Sequence, residues 1–220
     1  MSEADQTSND QPASLADNIG QGPDDVRSLD MEPPGSVARF DSAVDEAWGR
    51  VFRGHPLADR IFYIASEVGD FSVLWLLIAA VQGLGSDDDA DESIRFALLI
   101  LGESILVNQG VKRLFRRARP EMGGERPHHV RTPKTSSFPS GHASSAAAAA
   151  YLLSLRSPRM RPLIYLLAGV VATSRIHVKV HHASDVVAGA IVGTTYARIA
   201  SRYLPVGPGQ ARHTNPNRQP

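Results

Sequence analysis

The chain has 220 residues, no cysteine, and acidic and basic side chains in equal number, 23 of each. That length suits one domain of ordinary size, and the missing cysteine excludes both disulfides and thiolate metal sites. The neutral total hides an uneven spread, because residues 1–38 carry eight acidic side chains against Arg27 alone.

Residues 1–36, with Gly20, Gly22, Pro23 and the run MEPPGS, read as a disordered acidic tail that cannot bury a core. They lack the basic and apolar regions of a cleaved signal peptide, so none is expected. Over 37–62, Val37, Phe40, Val44, Trp48 and Val51 recur at helical spacing. This amphipathic helix suits a membrane surface or a protein core equally well. Five apolar segments follow, at roughly 63–83, 94–111, 143–155, 162–174 and 184–204. None is an unbroken apolar run of about 20 residues, the length that spans a bilayer. Glu67, Asp70 and Glu103 interrupt the first two, and the third is mostly alanine. They read as short transmembrane helices, and a soluble helical bundle is the other arrangement the pattern permits. Glu103 reads as a bundle-facing carboxylate paired with an arginine. Residues 205–220, rich in Pro, Gly and polar side chains, read as a second tail. The expected fold is therefore all-α: a membrane domain over 37–204 with about five short spans and an N-terminal amphipathic helix.

Between the second and third apolar segments the chain turns basic, with eight Lys/Arg against two Glu over 112–134. Such a stretch suits nucleic acid, anionic lipid or a phosphate-bearing substrate. No nucleic-acid module and no aromatic interleaving accompany it, so no nucleic-acid partner is expected. Three islands carry the chemistry. Lys112 precedes Arg119-Pro120; Pro139-Ser140-Gly141-His142 opens an alanine-rich helix; and Ser174-Arg175 is followed by His181 and Asp185. Each alone is weak. In this order, between apolar segments, they resemble the three-part signature of the type-2 phosphatidic acid phosphatase superfamily. The resemblance covers roughly 37–204, and its compact form is similar to the small bacterial lipid and polyprenyl-diphosphate phosphatases of that superfamily.

The residues suit that chemistry on their own terms. Phosphoryl transfer spreads negative charge over three equatorial oxygens, so catalysis is mostly positioning and charge stabilisation. Lys112, Arg119 and Arg175 supply positive charge, with the guanidinium forks suited to phosphate. Gly141 permits close backbone approach, the helix start after Ser140 directs free N–H groups at an anion, and the Ser140 hydroxyl can donate as well. His181 and Asp185, four residues apart, read as neighbours on one helix face, the carboxylate orienting the imidazole. The resemblance implies that His181 attacks phosphorus and forms a phosphohistidine. It also implies that His142 protonates the leaving oxygen and later activates water. Without the other two islands, the alternation in RIHVKVHH would read as a strand. His177 and His182 read as loop-surface or supporting residues, as do His128 and His129. Six histidines fall between 128 and 182, but their spacing fits no zinc pattern, so no metal or other cofactor is expected.

The sequence thus points to a metal-independent membrane phosphatase acting on a lipid-linked phosphomonoester or diphosphate. Its partners are that lipid phosphate or polyprenyl phosphate and the bilayer. The alternatives are a soluble non-specific acid phosphatase and a non-catalytic anion-binding membrane protein. Three arginines in RSPRMR, 156–161, favour a cytoplasmic turn there, which places the three islands on the outer face of a bacterial cell membrane.

Overall fold

The structure, a computed structural model, describes residues 35–121, 128, 130 and 135–207. Most of both expected tails lies outside these residues, as does His129. Among the described residues every regular element is helical. Seven α-helices are present among the described residues: α1 Ser36–Phe52, α2 Pro56–Val68, α3 Val73–Gln82, α4 Asp87–Ile105, α5 Gly141–Arg156, α6 Arg161–His177 and α7 Ala183–Tyr203.

Local chemistry sets the boundaries. Pro56 opens α2, where its missing N–H costs nothing. Gly69 closes α2, and Phe71 and Ser72 at φ 54° and 60° break the chain before α3. The segment expected as one span over 63–83 is thus two helices bent by 66°. Ser86 caps α4 by accepting from Asp89 N at 3.2 Å, and Asp87, Asp88 and Asp89 face the positive end of the helix dipole. The α4 helix runs on through a π-helical turn, Leu106–Gly110, and a 3₁₀ turn, Val111–Leu114, which together present Lys112.

The α5 helix is the centre of the bundle. Ala146, Ala148, Ala149 and Ala150, with Leu152 and Leu153, are buried against α4, α6 and α7. The α7 helix reaches α5 through two glycines one helical turn apart. A Cβ on Gly189 would lie 2.4 Å from Ser140 O, and one on Gly193 would lie 2.0 Å from Ser144 O. Only hydrogen fits there, which is the small-residue packing by which membrane helices associate. Glu103 is buried in the same interface, but its partner is the Ser144 hydroxyl rather than the expected arginine.

The outer faces are apolar. Ile94, Leu98, Leu101 and Ile105 form an exposed stripe along α4, and Val187, Ile191 and Ile199 one along α7. Asp87–Leu114 is long and apolar enough to cross a membrane, and α2 with α3 passes the same test only as a bent pair. The expected apolar face of α1 divides. Val44 and Trp48 pack inward on Ala143, Ile176, Ala183 and Val186, while Val37, Phe40 and Val51 stay exposed.

Candidate active site

The three islands converge at one end of the bundle. The segment 175–182 is not a strand: α6 ends at His177, Lys179 turns the chain at φ 50°, and α7 begins at Ala183. His181 therefore precedes α7 and does not share a helix face with Asp185. The two still meet, with His181 Nδ1 3.7 Å from Asp185 Oδ2. Ser137 sits between them, its Oγ 3.5 Å from His181 Nδ1 and donating to Asp185 Oδ2 at 2.5 Å. Asp185 Oδ2 also accepts from His182 N at 2.9 Å, and the Asp185 carbonyl accepts from Ser140 N at 3.0 Å. Asp185 thus joins the second island to the third.

The other nitrogen of His181 faces a cation. Arg119 Nη1 lies 3.4 Å from Nε2, and the guanidinium is held by the carbonyls of Val180, Thr135 and Ser136 at 2.8, 3.1 and 3.3 Å. A guanidinium has only donors, so the tautomer assigned here carries its proton on Nδ1 and leaves a lone pair on Nε2. Burial, followed by the charges of Arg175, Arg119 and Lys112, pushes the His181 pKa down to about 3 against the pull of Asp185. The imidazole is neutral at physiological pH.

His142 stands in the first turn of α5. Its Nε2 lies 3.0 Å from Asp70 Oδ1 and 3.1 Å from Ser66 O, both acceptors, so this nitrogen carries a proton. Gly69 is what permits the approach: a Cβ there would meet His142 Cδ2 at 2.8 Å. Arg175, buried in the last turn of α6, donates to the same Ser66 carbonyl at 3.4 Å and to the Ser66 hydroxyl. Ser140 caps α5, its Oγ accepting from Ala143 N at 3.4 Å. A Cβ on Gly141 would lie 3.0 Å from Asn108 Oδ1 and 3.3 Å from Lys112 Nζ, so the bare backbone is what brings these groups together. A cavity of about 760 Å³, lined by Asp70, Asn108, Lys112, Gly141 and His142, opens beside them. Among the described residues no three His, Asp or Glu side chains cluster closely enough to hold a metal ion.

The remaining histidines separate. His177 is not on a loop surface: it is buried, accepts from Trp48 Nε1 at 3.2 Å, and sets Nε2 2.9 Å from Asp59 Oδ1. It clamps α1 and α2 to the end of α6. His182 is half-buried beside His181, and His128 is exposed, its ring in a T-shaped contact with that of Tyr63.

Residues 94–206 match the sequence profile of the PAP2 superfamily. The decaprenylphosphoryl-5-phosphoribose phosphatase of Mycobacterium tuberculosis is 34% identical over 151 residues, covering 67% of this chain and 79% of that one. The chain belongs to the PAP2 superfamily. A second PAP2 relative, phosphatidylglycerophosphatase B of Bacillus subtilis, is 32% identical over 107 residues, 44% of this chain and 50% of that one. Two solved structures share the fold. The transmembrane PAP2-type phosphatidylglycerolphosphate phosphatase of Bacillus subtilis superposes with a TM-score of 0.59 at 22% identity, covering 77% of this chain and 87% of that one. Aquifex aeolicus LpxE gives 0.59 at 22% identity, with 79% and 99% covered.

Beside the signature, the site contains Ser66, Asp70, Asn108, Arg117 and Ser137, none of which sequence reasoning singled out for it. Asp70 counted there only as a charge interrupting an apolar segment.

Proposed function

We propose that this chain is a multi-pass membrane phosphatase that cleaves phosphate from a lipid through a covalent phosphohistidine on His181, without a metal. One observation carries the reading. His181 sets its Nε2 beside the Arg119 guanidinium while Ser137 and Asp185 back its Nδ1. That is a nucleophile with its orienting group behind it and an anion-binding fork in front.

In the first step the Nε2 lone pair attacks phosphorus and the bond to the leaving oxygen breaks. Asp185 stabilises the positive imidazole that results. Lys112, Arg119, Arg175 and the first N–H groups of α5 hold the equatorial oxygens. His142 gives the leaving oxygen a proton. Asp70 and Ser66 keep the Nε2–H, so Nδ1 is the nitrogen that exchanges. In the second step neutral His142 takes a proton from water, which attacks phosphorus and frees both His181 and inorganic phosphate.

The substrate follows from surroundings and relatives together. The exposed apolar stripes on α4 and α7 support a bilayer partner, with α2 and α3 jointly, α4, α5, α6 and α7 as five short spans. The relatives' names support a lipid-linked phosphate, polyprenyl or glycerolipid. By the charge of the 156–161 turn, the cavity faces outward from a bacterial cell membrane. The test is phosphate release in detergent across a polyprenyl diphosphate, a prenyl-phosphoribose phosphate, phosphatidic acid and phosphatidylglycerol phosphate, each with and without EDTA. The expected result is release from at least one lipid that EDTA leaves intact and vanadate blocks. Release that stops on chelation and returns with zinc or magnesium overturns the metal-free mechanism.

A further inference from the structure

Asp41 breaks the rule its helix otherwise follows. On α1, Val37, Phe40 and Val51 are exposed, yet the one buried residue is an aspartate. Unpaired, that burial would be costly; the cost is offset by three contacts. Asp41 Oδ1 accepts from Ser184 N at 2.7 Å, and Oδ2 accepts from Ser184 Oγ at 2.8 Å and from Arg117 Nη2 at 2.6 Å. Arg117 carries the chain onward: its Nη1 donates to Asp185 Oδ1 at 2.5 Å and to Ser184 Oγ at 2.7 Å.

The two oxygens of Asp185 are therefore divided. Oδ2 faces His181, Ser137 and the His182 amide; Oδ1 faces Arg117. A carboxylate held at one oxygen can turn, whereas one held at both keeps Oδ2 on the imidazole. Arg117 is fixed in its turn. Its amide donates to Ser136 Oγ at 3.2 Å, and its carbonyl accepts from Ser137 N at 3.0 Å. Arg117 and Arg119 lie two residues apart in the irregular stretch 115–120. Arg119 reaches one side of His181, and Arg117 the carboxylate behind it.

We propose that Arg117 and Asp41 are positioning residues for the His181–Asp185 pair, so that α1 is part of the active site and not only a surface helix. The inference rests on His181 being the nucleophile. Neither residue touches substrate; they act by fixing the carboxylate plane.

The experiment is pre-steady-state release of nitrophenol from p-nitrophenyl phosphate by the detergent-purified full chain. The burst amplitude counts competent sites, and the rate constant measures chemistry. Arg117→Gln and Asp41→Asn should each lower the rate constant by about 10- to 100-fold, the usual effect of losing a group that orients a functional side chain, with amplitude and KM nearly unchanged. Arg117→Lys, which keeps the charge but not the fork, should recover part of the loss. The double variant should be no slower than Arg117→Gln alone, since both substitutions break one chain. Glu46→Gln, on the exposed face of the same helix, is the unchanged control. Rate constants within twofold of the parent, or losses that multiply in the double variant, overturn the proposal. A merely structural role lowers the amplitude and spares the rate constant, which overturns it equally. Should Arg117→Gln fail to fold, the isosteric Asp41→Asn decides alone. His181→Ala runs alongside: activity surviving there defeats the histidine mechanism, whereas a dead His181→Ala beside unimpaired Asp41→Asn defeats only this inference.

Discussion

His181 is held as a neutral imidazole in a cationic pocket, which has a consequence for stability that pH can expose. In the unfolded chain the ring takes up a proton near its ordinary 6.5, but in the folded chain it does so only near 3. Between these values the unfolded state binds one proton more, so stability contributed at this site is lost as pH falls below 6.5. Each pH unit in that window costs about 1.4 kcal/mol, so moving from pH 7 to pH 5 removes about 2 kcal/mol. The groups responsible, after burial, are Arg175 from α6 and Arg119 and Lys112 from the basic segment, with Asp185 of α7 opposing them. His181→Gln keeps a polar side chain of similar reach and removes the titration. Thermal unfolding of both proteins in one detergent at pH 7 and pH 5 is the assay. The parent should lose about 2 kcal/mol more than His181→Gln on acidification, read as a larger fall in its melting temperature between pH 7 and pH 5. Parallel curves would refute the claim that His181 is buried neutral among these cations.

Other expectations follow from the same contacts. His142→Ala should still become phosphorylated by a substrate with a good leaving group and then stall, because no base is left for water; rapid-quench measurement should show one burst and no steady turnover. Gly193→Ala forces a methyl group to within 2.0 Å of Ser144 O, and backbone cannot yield as a side chain can. It should cost about 1–3 kcal/mol by overpacking, seen in the melting temperature, and lower activity because α5 carries His142 and α7 carries Asp185. His177→Ala strips two hydrogen-bond partners and a ring stacked on Phe62 at 4.7 Å. It should destabilise by about 2–4 kcal/mol while the folded fraction keeps its turnover, checked by burst-normalised rates.

The signature islands were legible because each is local: a few residues whose types and order suffice to suggest anion binding. The helix after Ser140 and the apolar segments at 94–111, 162–174 and 184–204 were legible for the same reason. What was hidden depends on partners distant in sequence. Asp70 reaches His142 across the bend after α2, and Asp41 reaches Ser184 across most of the chain. The bend itself had a cue in Gly69, which apolar content across 63–83 masked. The spacing of His181 and Asp185 suggested a shared helix face, but His182 starts α7 by giving its amide to Asp185, so the histidine is left in the turn. Gly189 and Gly193 were in plain view. Their four-residue spacing is a contact motif only once α7 is known to lie on the carbonyls of α5.

The central claim is that phosphate passes through Nε2 of His181. Its most direct test is to quench the detergent-purified protein with alkali during turnover of a radiolabelled phosphate ester and map the labelled peptide. The account predicts an alkali-stable, acid-labile phosphate on the peptide containing His181, accumulating in His142→Ala and absent from His181→Ala. Label on any other residue, or turnover by folded His181→Ala, would contradict it.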